Sequence, residues 1–343
     1  MNSKRLNNFD LLRLILAMMV VLSHAAILTQ IEVIKSVSLF FSSDIAVDSF
    51  FVVSGFLIFM SFDRGNSIGH FFDKRVRRIA PAYSAVILLC AIFLFFISTE
   101  SFMDYFTIEF FRYIFFNLLT LNFIQPTLPG LFETNNLQAI NGALWTIKIE
   151  VAFYILVPII GYILSKKNKL FTMATIYILS IIYSLVMMRF YISSNSMIYI
   201  ILEKQIPGQL AFFISGAFIY YFYDTFVKRS LAIFLFSFVL LLIHFHVMNI
   251  YFIYPAALAV VIIYFATMMK YLGDFGKFGD LSFGLYIWHF PIIQTFVFYD
   301  LFDDLVLGLI ALSISLFVVS FLSWHLIEKR FLYPSSHYRA VEK

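Results

Sequence analysis

Cysteine is almost missing from this chain: Cys90 is the single one among 343 residues, and it sits inside an apolar run. One thiol cannot form an intrachain disulfide or a multi-thiolate metal centre, so both are excluded within a monomer. Charge is scarce as well. Asp, Glu, Lys and Arg make up 13% of the residues, against about a quarter in soluble domains. No polar stretch is long enough to build a soluble domain, which confines any catalysis to the bilayer or its edge. A phosphate-binding glycine loop, HExxH, GxSxG and CxxC are all absent. Nucleotide-driven transport, zinc hydrolysis and serine-hydrolase chemistry lose their usual signatures with them, and no metal site is expected. Without repeats, low-complexity tracts or linkers, residues 1–343 read as a single membrane domain.

What the chain has in excess is hydrocarbon. Hydrophobic residues reach 62% and the mean hydropathy is +0.91, the composition of an integral membrane protein. A helix needs about 20 apolar residues to cross a bilayer. Such runs fall near 9–29, 44–62, 81–98, 144–164, 170–190, 208–223, 230–247, 250–269, 281–299 and 305–326. The expected fold is therefore all-α, a polytopic bundle of about ten transmembrane helices. A further run, 110–124, is short and carries Arg112 and Asn117. One more crossing would break the alternation of loop charge, so a re-entrant or interfacial segment is expected near 110–143. Irregular backbone is tolerated at that depth only where protein buries it.

Basic residues fall in alternate loops: Lys4 and Arg5; Arg64, Lys74, Arg75, Arg77 and Arg78; Lys166, Lys167 and Lys169; Lys228 and Arg229; Lys270 and Lys277; Lys329, Arg330 and Arg339. The loops between them are acidic. The positive-inside rule makes the basic set cytoplasmic and places both termini there, as in a multi-pass protein of a bacterial inner membrane. Charge so dispersed over short loops does not suit nucleic acid. The first run imitates a secretory signal at Ser23-His24-Ala25, but Arg13 and its length point to a retained first span.

The first span carries the main chemical lead. His24 follows Arg13 by eleven residues, about 20° past three full turns and about 16 Å along the axis, so both share one helix face. Charged and titratable groups in lipid cost several kcal/mol and normally face a protein or water-lined cavity. Asp10 lies i,i−3 from Arg13 and can pair with it. In FFDKRVRRIAPAY, four cations in five positions serve first as a topology signal. Arg75 and Arg78, i,i+3 on a helix, would also present guanidinium forks to phosphates. ALWTIKIEVAFYILVP puts Trp145, Lys148 and Glu150 where the chain re-enters the membrane. AVDSFFVVSGFLIFM carries Asp48 early in the second span, with Ser54 and Gly55 suited to close helix packing. GDLSFGLYIWHFPIIQ places Tyr286 and His289 i,i+3 beside Pro291, and His289 alone reads as a packed, hydrogen-bonded residue.

These motifs together resemble acyltransferase family 3, the integral-membrane O-acyltransferases of cell-envelope polysaccharides. Arg13 and His24 match its R-x10-H, opened by Asp10. VDSFFVVSGFLI matches its second-helix block, with Asp48, Ser54 and Gly55, and Arg75–Arg78 its R-x-x-R. LWTIKIEVAFY (Trp145, Glu150), LSFGLYIWHFPI (Ser282, Tyr286, His289, Pro291) and HLIEKRF (Glu328) complete the series from Phe9 to about Phe331. Lys148 and Ser49 depart from the usual small or aliphatic residues, which puts local pairing or acceptor preference in question.

The resemblance implies O-acetyl transfer from cytoplasmic acetyl-CoA, a co-substrate rather than a permanently bound cofactor. The acceptor would be a hydroxyl of a lipid-linked or surface glycan such as O-antigen, capsule or exopolysaccharide. Arg75, Arg78 and Arg13 would hold the acyl-CoA phosphates. His24 would act as general base or transient acyl carrier, chemistry open to imidazole at neutral pH. Glu150 would help orient the acceptor, with Asp10, Asp48, Ser54, Trp145, Tyr286 and His289 in support. No fused hydrolase-like domain is present, so the membrane domain, or a separate partner, would complete the transfer. The residues alone also allow a second class, a transporter or flippase for a lipid-linked glycan or small anion.

Overall fold

The computed structural model describes residues 7–65, 67–277, 279–334 and 336–337, and every regular element among them is helical. Lys4, Arg5 and Arg339, used above for topology, lie outside the described residues. In chain order the helices are α1 (Phe9–Thr29), α2 (Glu32–Ser38), α3 (Ser43–Asp63), α4 (Ile68–Phe93), α5 (Phe102–Tyr105), α6 (Ile108–Leu118), α7 (Trp145–Lys166) and α8 (Lys169–Ser194). They continue as α9 (Ile198–Glu203), α10 (Ile206–Tyr221), α11 (Tyr223–Lys228), α12 (Ser230–His246), α13 (Tyr254–Thr267), α14 (Leu281–Phe298), α15 (Leu305–Leu322) and α16 (Lys329–Phe331).

Each of the ten expected spans coincides with one of these helices. Seven helices, some with their flanking turns, are long and apolar enough to cross a membrane by length and composition. The other three, α10, α12 and α13, have 16, 17 and 14 residues. The eighth span begins at Tyr254, four residues later than its apolar run suggested, because 247–253 form the turn after α12.

Local chemistry sets the ends. The side chains of Asn168, Asp280 and Asp304 accept backbone N–H groups at the starts of α8, α14 and α15, satisfying donors that a helix N-terminus leaves open. Asn195 ends α8 in the left-handed conformation at φ 53°, which asparagine tolerates better than most residues.

The chain forms two compact bodies. The first comprises the residues up to Leu12, Val47–Phe72 and Ile149–Gly273. In it α10 packs on α8 and α13, and α12 on α13. Helices α3 and α10 meet backbone to backbone: a Cβ on Gly55 would lie 1.9 Å from the Phe213 carbonyl oxygen, and one on Gly216 would lie 2.0 Å from that of Val52. The glycine of the SG pair is thus a packing residue, one half of a reciprocal small-residue contact.

The second body comprises Arg13–Ala46, Asp73–Lys148 and the residues from Asp274 onward. Helices α14 and α15 pair in it, and α15 runs into a π-helical turn at Ser323–Glu328. The segment expected to be re-entrant or interfacial is here: α6 has only 11 residues, and 119–141 hold no helix. That irregular stretch is nonetheless buried at Leu128, Leu131, Phe132 and Ile140, and it is sewn to α14. Gln294 Nε2 donates to the carbonyls of Leu137 and Ala139, and Asn135 Nδ2 donates to the carbonyl and side-chain oxygens of Gln294.

Pro291 explains one of these stitches. A proline inside a helix removes the N–H that would bind the carbonyl four residues back, here that of Ile287. Asn141 Nδ2 supplies the missing donor at 2.8 Å.

Candidate active site

The stripe of α1 that carries Arg13 and His24 faces protein. Ala17 and Val20, between them on that face, are both 0% exposed, whereas Ile15 and Met18 on the far side are exposed. His24 meets a second histidine across the second body. Its Nδ1 lies 2.7 Å from Nε2 of His289, and the two rings stack with centroids 5.0 Å apart, 7° from parallel. His289 is itself 0% exposed. Its Nδ1 lies 3.2 Å from the Leu285 carbonyl oxygen, one turn back in α14.

The surroundings hold this pair rigidly. Phe290 and His24 meet in a T-shaped arrangement, with centroids 5.4 Å apart. Gly142 stands behind Phe290, close enough that a Cβ there would lie 2.8 Å from the ring. The hydroxyls of Tyr286 and Thr146 share a hydrogen bond of 2.6 Å. Asn136 Nδ2 donates to the Leu28 carbonyl near the end of α1. The irregular segment therefore braces both histidine-bearing helices.

A second constellation forms at the N-terminal end of α14. Arg78 Nη2 lies 2.5 Å from Asp280, and its Nη1 lies 3.4 Å from Glu328. The side chains of Arg78, Asp280 and Glu328 are 16%, 4% and 1% exposed. Ser282 donates to Asp280, and Ser323 donates to Glu328 at 2.9 Å from the start of the π-helical turn. One guanidinium thus joins α4, the cap of α14 and the π-helical turn that follows α15. Its neighbour Arg77 pairs with Asp73 at 2.9 Å and lies over the Tyr333 ring. The basic cluster expected in a loop before the third span is helical instead, within α4, which begins at Ile68. Arg77 and Arg78 both meet carboxylates there, and Arg75 lies half-buried one turn before Arg78.

The remaining predicted residues fall as follows. Arg13 and Trp145 are half-buried in the second body. Glu150 and Asp48 belong to the first body, and each accepts from a tyrosine: Tyr154 to Glu150 at 2.5 Å, Tyr254 to Asp48 at 3.0 Å. Asp10 lies in the first turn of α1, and Ser54 sits half-buried beside Gly55 in α3. Sequence reasoning missed Asp280, Asn141, Thr146 and Gln294. Only Asp280 offered a signal, as an aspartate at the start of a span, where an N-cap belongs.

The chain matches a family model described as an acyltransferase domain, that of acyltransferase family 3, over residues 6–325. The chain belongs to that family. This acyltransferase is 29% identical over 342 residues to an O-acetyl transferase of Shigella phage Sf6, covering 96% of this chain and 97% of that protein. It is 30% identical over 164 residues to nodulation protein 10 of Rhizobium leguminosarum bv. viciae, covering 45% of this chain and 44% of the other. No solved structure matches the chain significantly. Family and fold together make it a multi-pass membrane acyltransferase, and they replace the transporter reading with an enzyme.

Proposed function

We propose that this acyltransferase moves an acetyl group from acetyl-CoA to a hydroxyl of a lipid-linked or surface polysaccharide at a bacterial inner membrane. The observation that carries the reading is an imidazole on the protein-facing stripe of α1, anchored through Nδ1 at 2.7 Å. His24 takes the proton of the acceptor hydroxyl as that oxygen attacks the thioester carbonyl. The C–O bond forms, the C–S bond breaks, and the departing thiolate takes the proton from the imidazolium to give free CoA. A positioned acid–base group of this kind contributes about 10²–10⁴-fold.

The arginines divide the remaining work. Arg75 and Arg13 are assigned to the phosphates of the donor, for which guanidinium forks are suited. Arg78, between two carboxylates, is assigned to hold the inner ends of the helices in place beside them. Glu150, with its carboxylate oriented by Tyr154, is assigned to acceptor recognition. The relatedness to the phage O-acetyl transferase along nearly the whole chain supports acetyl as the transferred group.

The test is glycan mass spectrometry on a deletion strain complemented with His24→Ala. Loss of O-acetyl groups with normal glycan export is expected. Normal acetyl content with folded protein in the membrane rejects His24 as the base.

A further inference from the structure

Two hydrogen bonds in the second body determine where the protons sit on the histidine pair. His289 Nδ1 points at the Leu285 carbonyl oxygen, 3.2 Å away. A carbonyl only accepts, so this nitrogen carries a proton. In a neutral imidazole the other nitrogen is then an acceptor. The proton in the 2.7 Å contact between the rings therefore belongs to His24 Nδ1. A neutral His24 protonated there has a bare Nε2.

We propose that His289 is a positioning residue that fixes His24 in its Nδ1–H tautomer, leaving the Nε2 lone pair to act as base. This rests on the reading of His24 as the base given above. The Leu285 carbonyl sets His289, and His289 sets His24. When Nε2 takes the acceptor proton, the ring becomes an imidazolium whose Nδ1–H still donates to His289, and a hydrogen bond from a charged donor is the stronger kind. His289 thereby holds the ring's orientation and stabilises the charge that develops on it, the part a carboxylate plays in the serine-protease triad. The neutral ring also suits the location. His289 is 0% exposed, and an ionised carboxylate there would carry a large desolvation cost. Pro291, Asn141 and the Tyr286–Thr146 bond hold this turn of α14, so the acceptor nitrogen is fixed by backbone as well as by packing.

The tautomer is measured on the full-length protein. Nitrogen-15 histidine labelling separates protonated from bare ring nitrogens, and the spectrum of His24→Gln assigns the signal among the seven histidines. A protonated Nδ1 and bare Nε2 on His24 are expected. A protonated Nε2 on resting His24, or a doubly protonated His289, overturns the proposal whatever the activity. Transfer from radiolabelled acetyl-CoA to membrane glycan gives the second readout. His289→Leu, which offers no acceptor, is expected to lower kcat about 10²–10⁴-fold with KM for acetyl-CoA little changed. His289→Gln, whose amide oxygen accepts and whose amide N–H donates, is expected to recover at least a tenth of the activity. Equal loss in both variants, or full activity in His289→Leu, overturns the positioning role. Full activity in His24→Ala overturns the base reading separately, because the tautomer is read without turnover.

Discussion

Arg78 and Arg75 lie three residues apart, yet their side chains are expected to fail differently. Arg78 is nearly buried between Asp280 and Glu328. Removing one partner from a buried charge cluster strands the others, at about 3–5 kcal/mol. Arg78→Ala is therefore expected to lower the melting temperature in detergent sharply, and the triple change Arg78→Met, Asp280→Asn, Glu328→Gln to recover part of the loss. An unchanged melting temperature in Arg78→Ala would show the cluster to be dispensable. Arg75→Ala is expected to cost less stability while reducing photolabelling by an acyl-CoA analogue in isolated membranes. Spacing suggested the same phosphate-binding role for both arginines, and it concealed the carboxylates around Arg78. Asp280 lies 202 residues from Arg78 and Glu328 lies 250, separations that no local pattern encodes.

Helix α14 shows how a rule of elements becomes a feature of the site. Pro291 was legible as a kink; its consequence, an Ile287 carbonyl served by Asn141, was not. An unpaired buried carbonyl costs about 1–3 kcal/mol, so Asn141→Leu should destabilise by that amount. Pro291→Ala restores the backbone donor, and the double variant should lose less than the two single losses added together. Thermal unfolding of the four proteins measures this coupling, and strict additivity would contradict it. The crossing of α3 and α10 makes a simpler demand. Gly216→Ala places a methyl 2.0 Å from a backbone oxygen, and neither helix can yield without moving its neighbours. Poor membrane accumulation is expected, measured against a Gly69→Ala control where nothing crowds the added carbon.

At the scale of the whole molecule, hydropathy and loop charge were enough to find ten helices and to keep 110–143 from being a crossing. Hydropathy succeeds because the bilayer demands long apolar runs of every span. The irregular stretch 119–141 was legible only as a gap, since its hydrogen-bond partners come from distant side chains. The histidine pair was half legible: periodicity turned His24 inward, but His289 stands 265 residues away. The expected orientation is testable across α8, whose 26 residues span about 39 Å. After Cys90 is replaced, Ser165→Cys is expected to react with an impermeant maleimide only from the cytoplasm, and Ser194→Cys only from outside. The reverse pattern would invert the topology.

The bare backbone at Gly142 touches the edge of Phe290, and Phe290 touches the imidazole of His24. A single methyl at position 142 would therefore be felt at the His24 ring by way of one aromatic ring. An engineer wishing to move that ring has a dial there that leaves every polar group of the pair in place.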